Sequence, residues 1–271
     1  CQGLGASETP RDISFCGHAI LGDGIFVIPD AAADVRFHDN PLVTGDPKIR
    51  FYAGCPLSAP DGSKLGTLCI IDRVPRGFDE DDANLLHDLA HMAEQELASI
   101  QLATTDGLSE ISNRRGFETL SSYALEICQR LNKPASLLFF DMDLFKEIND
   151  SFGHAEGDQA LCDFAQILRE TFRNSDVLGR IGGDEFAVLL SDTGIDNIDA
   201  TLNRLQQAVD QFNLESCRVY DIHYSVGAIE FDAVEQGDVY KLMSAADELM
   251  YEHKKQKQDT RGAARTANRD R

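Results

Sequence analysis

Asp184 and Glu185 stand side by side after two glycines, Gly182 and Gly183. Apolar runs flank the group, Val177-Leu178 before it and Ala187-Val188-Leu189-Leu190 after it. Carboxylates are hard oxygen donors, and a turn without side chains lets backbone approach a ligand closely. The pattern therefore predicts a strand, a tight turn and a second strand that presents a divalent cation and the nucleotide phosphate it carries. An ordinary acidic hairpin would look the same over four residues, so support has to come from elsewhere in the chain.

A second constellation lies upstream. Leu137-Leu138-Phe139-Phe140 has the length and composition of a buried strand and ends in Asp141-Met142-Asp143. Phe145, Lys146, Asn149, Asp150, Gly153, His154, Gly157 and Asp158 follow. A carboxylate at the exit of a buried strand suits a metal, and Lys146 suits phosphate charge. Asn149 and Asp158 carry groups able to read guanine, because a carboxylate accepts from N1–H and the exocyclic amine, a pair that adenine lacks. A surface loop with capping Asp and Asn accounts for the same residues, and on the residues alone both readings stay open.

Positioning these groups requires alternating elements. Apolar periodicity predicts helices over 117–131, 157–172, 198–212 and 239–253, and strands over 137–140, 177–180, 186–190 and 224–229, the last in the centre of the sheet. The alternation gives an α/β (α+β) class with helices covering a sheet.

Together the two constellations resemble the GGDEF family of diguanylate cyclases over residues 104–256. The carrying motifs are Asp106-Gly107-Leu108-Ser109 with Asn113-Arg114-Arg115-Gly116-Phe117, then Phe140-Asp141-Met142-Asp143-Leu144-Phe145-Lys146 with Ile148-Asn149-Asp150. Gly182-Gly183-Asp184-Glu185-Phe186 and Ala246-Asp247-Glu248-Leu249-Met250-Tyr251 with Lys254 complete them. The resemblance implies a sheet like that of nucleotidyl cyclases and polymerase palms. It also implies condensation of two GTP into cyclic di-GMP and two pyrophosphates. Asp141, the Met142 carbonyl, Asp184 and Glu185 would hold Mg2+ or Mn2+, and Asp184, Glu185 and Lys254 would act in catalysis. Phe145, Lys146, Asn149, Asp158, Gly182, Gly183 and Lys254 would bind GTP. Each domain would hold one GTP, so a homodimer is implied. Arg173-Asn174-Ser175-Asp176 matches the family's Arg-x-x-Asp inhibitory motif, which implies a product site at Arg173 and Asp176 with Arg204 as a further contact; a local helix-end ion pair is the plain alternative. In one place the chain departs from the pattern: Gln258 stands where a second phosphate-binding Arg is common, with Lys255 or Lys257 able to compensate in part. That departure keeps open a weak or inactive receptor for cyclic di-GMP or GTP.

Residues 1–78 read as a separate sheet domain, with strands over 25–28, 51–57 and 65–71. They resemble the C-terminal two-thirds of a GAF domain through Ile13-Ser14-Phe15-Cys16-Gly17-His18, Val27-Ile28-Pro29-Asp30, Asp39-Asn40-Pro41-Leu42-Val43, Ile49-Arg50-Phe51-Tyr52-Ala53-Gly54 and Leu65-Gly66-Thr67-Leu68-Cys69. This implies that the first helix and early strands of that fold are missing, and that the domain regulates the cyclase. A GAF-centred interaction module is the third reading. Cys16 and His18 are expected to be a buried thiol and a satisfied histidine, although the sequence leaves a redox role for Cys16 open.

A connecting helix is predicted over 79–103. Leu85, Leu89, Met92, Glu96 and Ser99 lie on one heptad line and Leu86, Ala93, Leu97 and Ile100 on another. We expect its first half to pack on the GAF sheet and its second half to pair with a second copy. Residues 257–271 are expected to be a basic, solvated tail. The net charge of -21 divides into -9 before residue 104 and -12 after it, which excludes nucleic acid and anionic lipid as partners. No apolar run is long enough for a membrane span, so no membrane insertion is expected. The seven cysteines form no Cys-x-x-Cys, and the chain opens at Cys1 without Met, read as a trimmed start. These features lead us to expect reduced thiols and a cytoplasmic protein.

Overall fold

The structure is a computed structural model that describes residues 10–232 and 237–267. The chain divides into two compact units, Cys1–Gln101 and Leu102–Arg271.

In the first unit the elements are α1 (Phe15–Ala19), β1 (Phe26–Ile28), α2 (Pro41–Thr44), β2 (Phe51–Ser58), β3 (Lys64–Asp72) and α3 (Glu80–Thr104), which continues past the unit's end. The three strands form an antiparallel sheet in the order β1-β2-β3. Alternate residues of a strand face opposite ways, and β2 uses both faces. Tyr52 packs with Phe15, Ile28 and Phe37 on one side, whereas Phe51, Ala53 and Cys55 pack with Leu86 and Ala90 of α3 on the other. The helix is thus held to the sheet by Leu86 and Ala90. Leu85, Leu89 and Met92 are turned out, at 61%, 45% and 65% exposure, so the uncovered apolar line begins in the half expected to pack on the sheet.

The second unit holds β4 (Ser112–Asn113), α4 (Arg114–Arg130), β5 (Ala135–Met142), α5 (Phe145–Phe152), α6 (His154–Thr171), β6 (Val177–Gly182), β7 (Glu185–Ser191), α7 (Ile198–Glu215), β8 (Tyr224–Glu230) and α8 (Val239–Ala267). Its sheet runs β4-β6-β7-β5-β8, antiparallel throughout except for β4 with β6. All eight residues of β5 are buried. Leu138, Phe140, Met142, Phe186, Val188 and Leu190 face α6 and α7, while Leu137, Phe139, Ala187 and Leu189 face α4 and α8. Phe164 of α6 meets Phe186 edge to face at 5.1 Å and Phe140 at 6.1 Å, contacts that add about 1 kcal/mol each to the area they bury.

Three expectations are corrected. The strand at 224–229 lies at the edge, paired only with β5 among the described strands. The stretch after Asp143 is helical: Leu144 takes a left-handed conformation (φ 63°) and turns the chain directly from β5 into α5. Finally, α8 runs on to Ala267, through most of the segment expected to be a tail.

Candidate functional site

β6 and β7 meet in a two-residue turn, with Gly182 opposite Glu185 and Arg180 opposite Phe186, so Ile181 is the extra residue of a bulge. Gly182 lies close under the Glu185 carboxylate, where a Cβ would sit 2.8 Å from Glu185 Oε2 and displace the end of that side chain. Glu185 is directly across from Asp141 of β5, which puts both carboxylates on the α4/α8 face of the sheet. Asp143, one residue past the end of β5, joins them through its contact with Lys257 of α8. Asp184 sits in the turn, where its carbonyl accepts the Met142 N–H at 3.1 Å.

α8 answers these acids with two lysines. Lys254 Nζ lies 2.5 Å from Asp141 Oδ1, and Lys257 Nζ lies 3.3 Å from Asp143 Oδ2 and also donates to the Tyr224 carbonyl. Three residues apart, they lie on one side of the helix. Ser225 Oγ donates to Asp143 at 2.7 Å in a fully buried contact.

Burial pushes the Asp141 carboxyl up, and the charges of Asp184 and Asp143 add to this, outweighing Lys254. Glu185 is raised by burial and then by Asp247, against Arg114. Lys254 is lowered by burial but raised more by Asp141, and its net shift is upward. Among the described residues no three His, Cys, Asp or Glu side chains converge into a complete metal cage. The donor set nevertheless fits a hard divalent cation: closely spaced carboxylates that resist ionising together are relieved by one, and substrate oxygens commonly complete such a shell.

Arg180 fixes the turn from behind. Its Nε and Nη2 both donate to the Gly183 carbonyl, at 3.0 and 2.8 Å, and its Nη1 reaches Asp106 at 3.1 Å. Asp106 in turn accepts from the backbone and hydroxyl of Ser109 at 2.8 and 2.6 Å. Burial opposes ionisation of Asp106, but the Ser109 and Arg180 contacts prevail and its carboxyl is lowered. Arg114 Nε donates to Ile181 O at 3.2 Å, beside a pocket of about 260 Å³ lined by Arg114, Glu185, Tyr240 and Asp247.

The expected guanine residues come together on the α5–α6 corner. Gly153 (φ 89°) links the two helices. Asn149 Oδ1 lies 3.2 Å from His154 Nδ1, and a Cβ on Gly157 would sit 2.1 Å from that same oxygen, so Gly157 makes room for the amide. Asp158 is exposed one residue further on. Phe145 and Lys146 occupy the first turn of α5, with Lys146 exposed.

The expected inhibitory site is only partly assembled. Asp176 is committed to structure, one oxygen accepting from Arg173 N at 3.0 Å and the other from Ser191 N at 3.2 Å. Arg173 is exposed and forms no ion pair with Asp176 among the described residues, and neither hydrogen bond nor ion pair joins Arg204 to either. The side chain of Gln258 lies outside the described residues. Sequence reasoning passed over Arg180, Asp106, Arg114, Asp143 and Asp247 as site residues and kept Lys257 only as a substitute. The available signal was spacing, since Asp141 and Asp143 are two apart at the exit of a strand and Lys254 and Lys257 three apart on a helix.

An antiparallel-rich sheet with carboxylates at the strand ends and cations on a covering helix defines a mixed α/β domain equipped for metal and phosphate chemistry. Comparison with known proteins narrows this. The profile described as "Diguanylate cyclase, GGDEF domain" matches residues 103–260 and that of the GAF domain matches residues 1–97. The chain belongs to the GGDEF family, with a GAF domain ahead of the GGDEF domain.

Diguanylate cyclase DgcP of Escherichia coli (strain K12) is 32% identical over 92% of this chain and 76% of its own length. The cyclic di-GMP phosphodiesterase PA2567 of Pseudomonas aeruginosa is 41% identical over 52% of this chain. That match covers 24% of PA2567, so its named activity is not carried over. The coiled coil and GGDEF domain of DgcB from Caulobacter crescentus, solved in complex with c-di-GMP, is 25% identical. It has a TM-score of 0.58 and covers 64% of this chain and 92% of its own.

Proposed function

We propose that the chain is a diguanylate cyclase that condenses two GTP into cyclic di-GMP and two pyrophosphates. The observation that carries this reading is the gathering of Asp141, Asp143, Asp184 and Glu185 at the strand ends, faced by Lys254 and Lys257 on one helix. Asp141, Asp184, Glu185 and the Met142 carbonyl are the groups suited to hold Mg2+ or Mn2+. When bound, such an ion screens triphosphate charge and favours attack of the 3′-hydroxyl. Lys254 and Lys257 are placed to meet phosphate oxygens, and Lys146, on the first turn of α5, adds a third cation. Asn149 and Asp158 read the guanine edge. Glu185, with its raised carboxyl, is the group best suited to accept the proton of the attacking hydroxyl.

Two GTP sites must meet for ring closure, so the reading requires two copies of the chain. Leu85, Leu89, Met92, Leu97 and Ile100 on α3 supply an uncovered apolar surface for pairing, as in a two-stranded coil. Arg173 is the exposed group of the expected product site. Among the described residues no helix is long and apolar enough to cross a membrane.

Incubation with GTP and magnesium, followed by chromatography of the nucleotides, tests the activity. Cyclic di-GMP should accumulate with wild type and fall by at least about 1000-fold in Asp184→Ala, whose loss removes an oxygen ligand while sparing the core. Undiminished synthesis by Asp184→Ala at ordinary magnesium refutes the site assignment.

A further inference from the structure

The first unit contains a thiol pair for which the nucleotide chemistry has no use. Cys16 on α1 and Cys69 on β3 bring their sulfurs to 3.7 Å although 53 positions separate them. Tyr52 of β2, fully buried, donates its hydroxyl to Cys16 Sγ at 3.4 Å. Phe15 stacks on Tyr52 at 5.3 Å and on Phe37 at 4.4 Å, which fixes the wall behind the pair. Both cysteines are half-buried residues, in contrast to Cys55 and Cys128, which are buried. The cluster is therefore held in register yet open to a small reagent.

The two thiols differ. Cys16 is lowered to about 6 because Cys69 donates to its sulfur, with Tyr52 adding to the effect against the cost of burial. Cys69, as the donor to that sulfur, is pushed up. One sulfur is thus the nucleophile and its neighbour stays protonated, the division of labour found where a thiolate and a resolving thiol share a site.

We propose that Cys16 and Cys69 form a dithiol site oxidised by hydroperoxides, with Cys16 the attacking sulfur, Cys69 the resolving one and Tyr52 the residue that positions Cys16. In the first step Cys16 sulfur attacks the terminal peroxide oxygen. The O–O bond breaks, the leaving oxygen takes the thiol proton as an alcohol or water, and Cys16 becomes a sulfenic acid. In the second, Cys69 sulfur attacks Cys16 sulfur. The S–S bond forms, the S–O bond breaks and hydroxide leaves as water with the Cys69 proton. Two thiols and one hydroperoxide give one disulfide, one alcohol or water, and one water. The sulfurs need to close from 3.7 Å to about 2.05 Å to form the bond. The product ties α1 to β3 across one face of the sheet.

The test uses the full chain, reduced, freed of reductant and exposed to hydrogen peroxide. Free thiols are alkylated and mapped by peptide mass. Two of the seven thiols should be lost, in a peptide pair joining Cys16 to Cys69 and two hydrogens lighter, and dithiothreitol should restore both. Cys69→Ser should leave a sulfenic acid at Cys16 that dimedone captures, and Tyr52→Phe should slow loss of the Cys16 thiol roughly ten-fold near neutral pH. Faster loss of the exposed Cys217, a different partner for Cys16, or a lasting sulfenic acid in wild type overturns the proposal. Mapping the wild-type disulfide decides the matter even if a variant fails to fold.

Discussion

Replacing Arg180 with Ala removes three well-formed contacts from a side chain that touches no substrate in the proposed reaction. Two of them end on the Gly183 carbonyl, at 2.8 and 3.0 Å, and the third on Asp106 at 3.1 Å. The Arg180 and Asp106 side chains are 15% and 24% exposed, so the pair is only partly screened. A hydrogen bond with one charged partner contributes about 1.5–3 kcal/mol, and the contacts act as one clamp rather than additively. A loss of about 2–3 kcal/mol from the turn that presents Asp184 follows.

If that ordering is realised in full in the transition state, kcat/KM for GTP falls roughly 30- to 150-fold. Initial rates of cyclic di-GMP formation measure this, with circular dichroism confirming the fold. Arg180→Lys keeps a charge for Asp106 but cannot fork to Gly183 as well, so it should fall between wild type and Ala. In the cycle with Asp106→Asn, the double variant should be little worse than Arg180→Ala, because both changes break one network. A kcat/KM for Arg180→Ala within twofold of wild type, or fully additive effects in the cycle, refutes the clamp.

Other outcomes follow from the same geometry. Asp141 and Glu185 have raised carboxyls, so their stabilising contribution is present in acid and lost as pH rises through their raised pKa values. The metal-free protein should therefore lose thermal stability just above the ordinary carboxylate range, and magnesium should abolish that loss; a melting curve that is flat in pH with and without magnesium counts against it. Asp106 has the opposite sign: its contribution is present above the ordinary carboxylate pKa and disappears as pH falls through its lowered value, an acid limb that Asp106→Asn should remove. Gly157→Ala pushes on Asn149 and should raise KM for GTP and narrow the preference over ATP, whereas equal product from ATP alone with wild type shows that the base site is elsewhere. Arg173→Ala should relieve inhibition by added cyclic di-GMP without changing the melting temperature. Asp176→Ala should cost about 1–2 kcal/mol of stability besides, since it leaves Arg173 N and Ser191 N unpaired; identical inhibition curves for Arg173→Ala and wild type remove the product site.

The hairpin was legible because two apolar runs with a Gly-Gly-Asp insertion leave few alternatives, and the buried run ahead of Asp141 because Leu137 to Phe140 are four consecutive large apolar residues with nothing polar to offer water. The edge position of β8 was hidden by its partner. α8 lies so close that a Cβ on Gly227 would be 2.0 Å from the Ala246 carbonyl, and a strand covered in that way carries the apolar residues of a central one. α5 was missed because its eight residues are mostly polar and it is started by Leu144, whose left-handed backbone has no sequence signature. The role of Arg180 was invisible for a different reason: its partners, Asp106 and Gly183, are brought together only when β4 pairs with β6 and the turn closes. The first half of α3 does pack on the sheet, through Leu86 and Ala90, but an amphipathic helix with two apolar lines does not declare which line meets it, and Leu85, Leu89 and Met92 are left exposed.

Lys254 and Lys257 give the site a built-in counter-ion supply. While each is engaged with Asp141 or Asp143, a chain of net charge -21 offers little to a nucleotide triphosphate. An ammonium group cannot hold a carboxylate and a phosphate equally well at once. Neutralising the carboxylates therefore frees the lysines for phosphate, and drawing the lysines onto phosphate bares the carboxylates for a cation. Each ligand raises the affinity for the other by the same factor, whichever arrives first. On the proposed function, nucleotide without cation, or cation without nucleotide, has to break these ion pairs unaided, so the site favours the charge-balanced complex before any base is read.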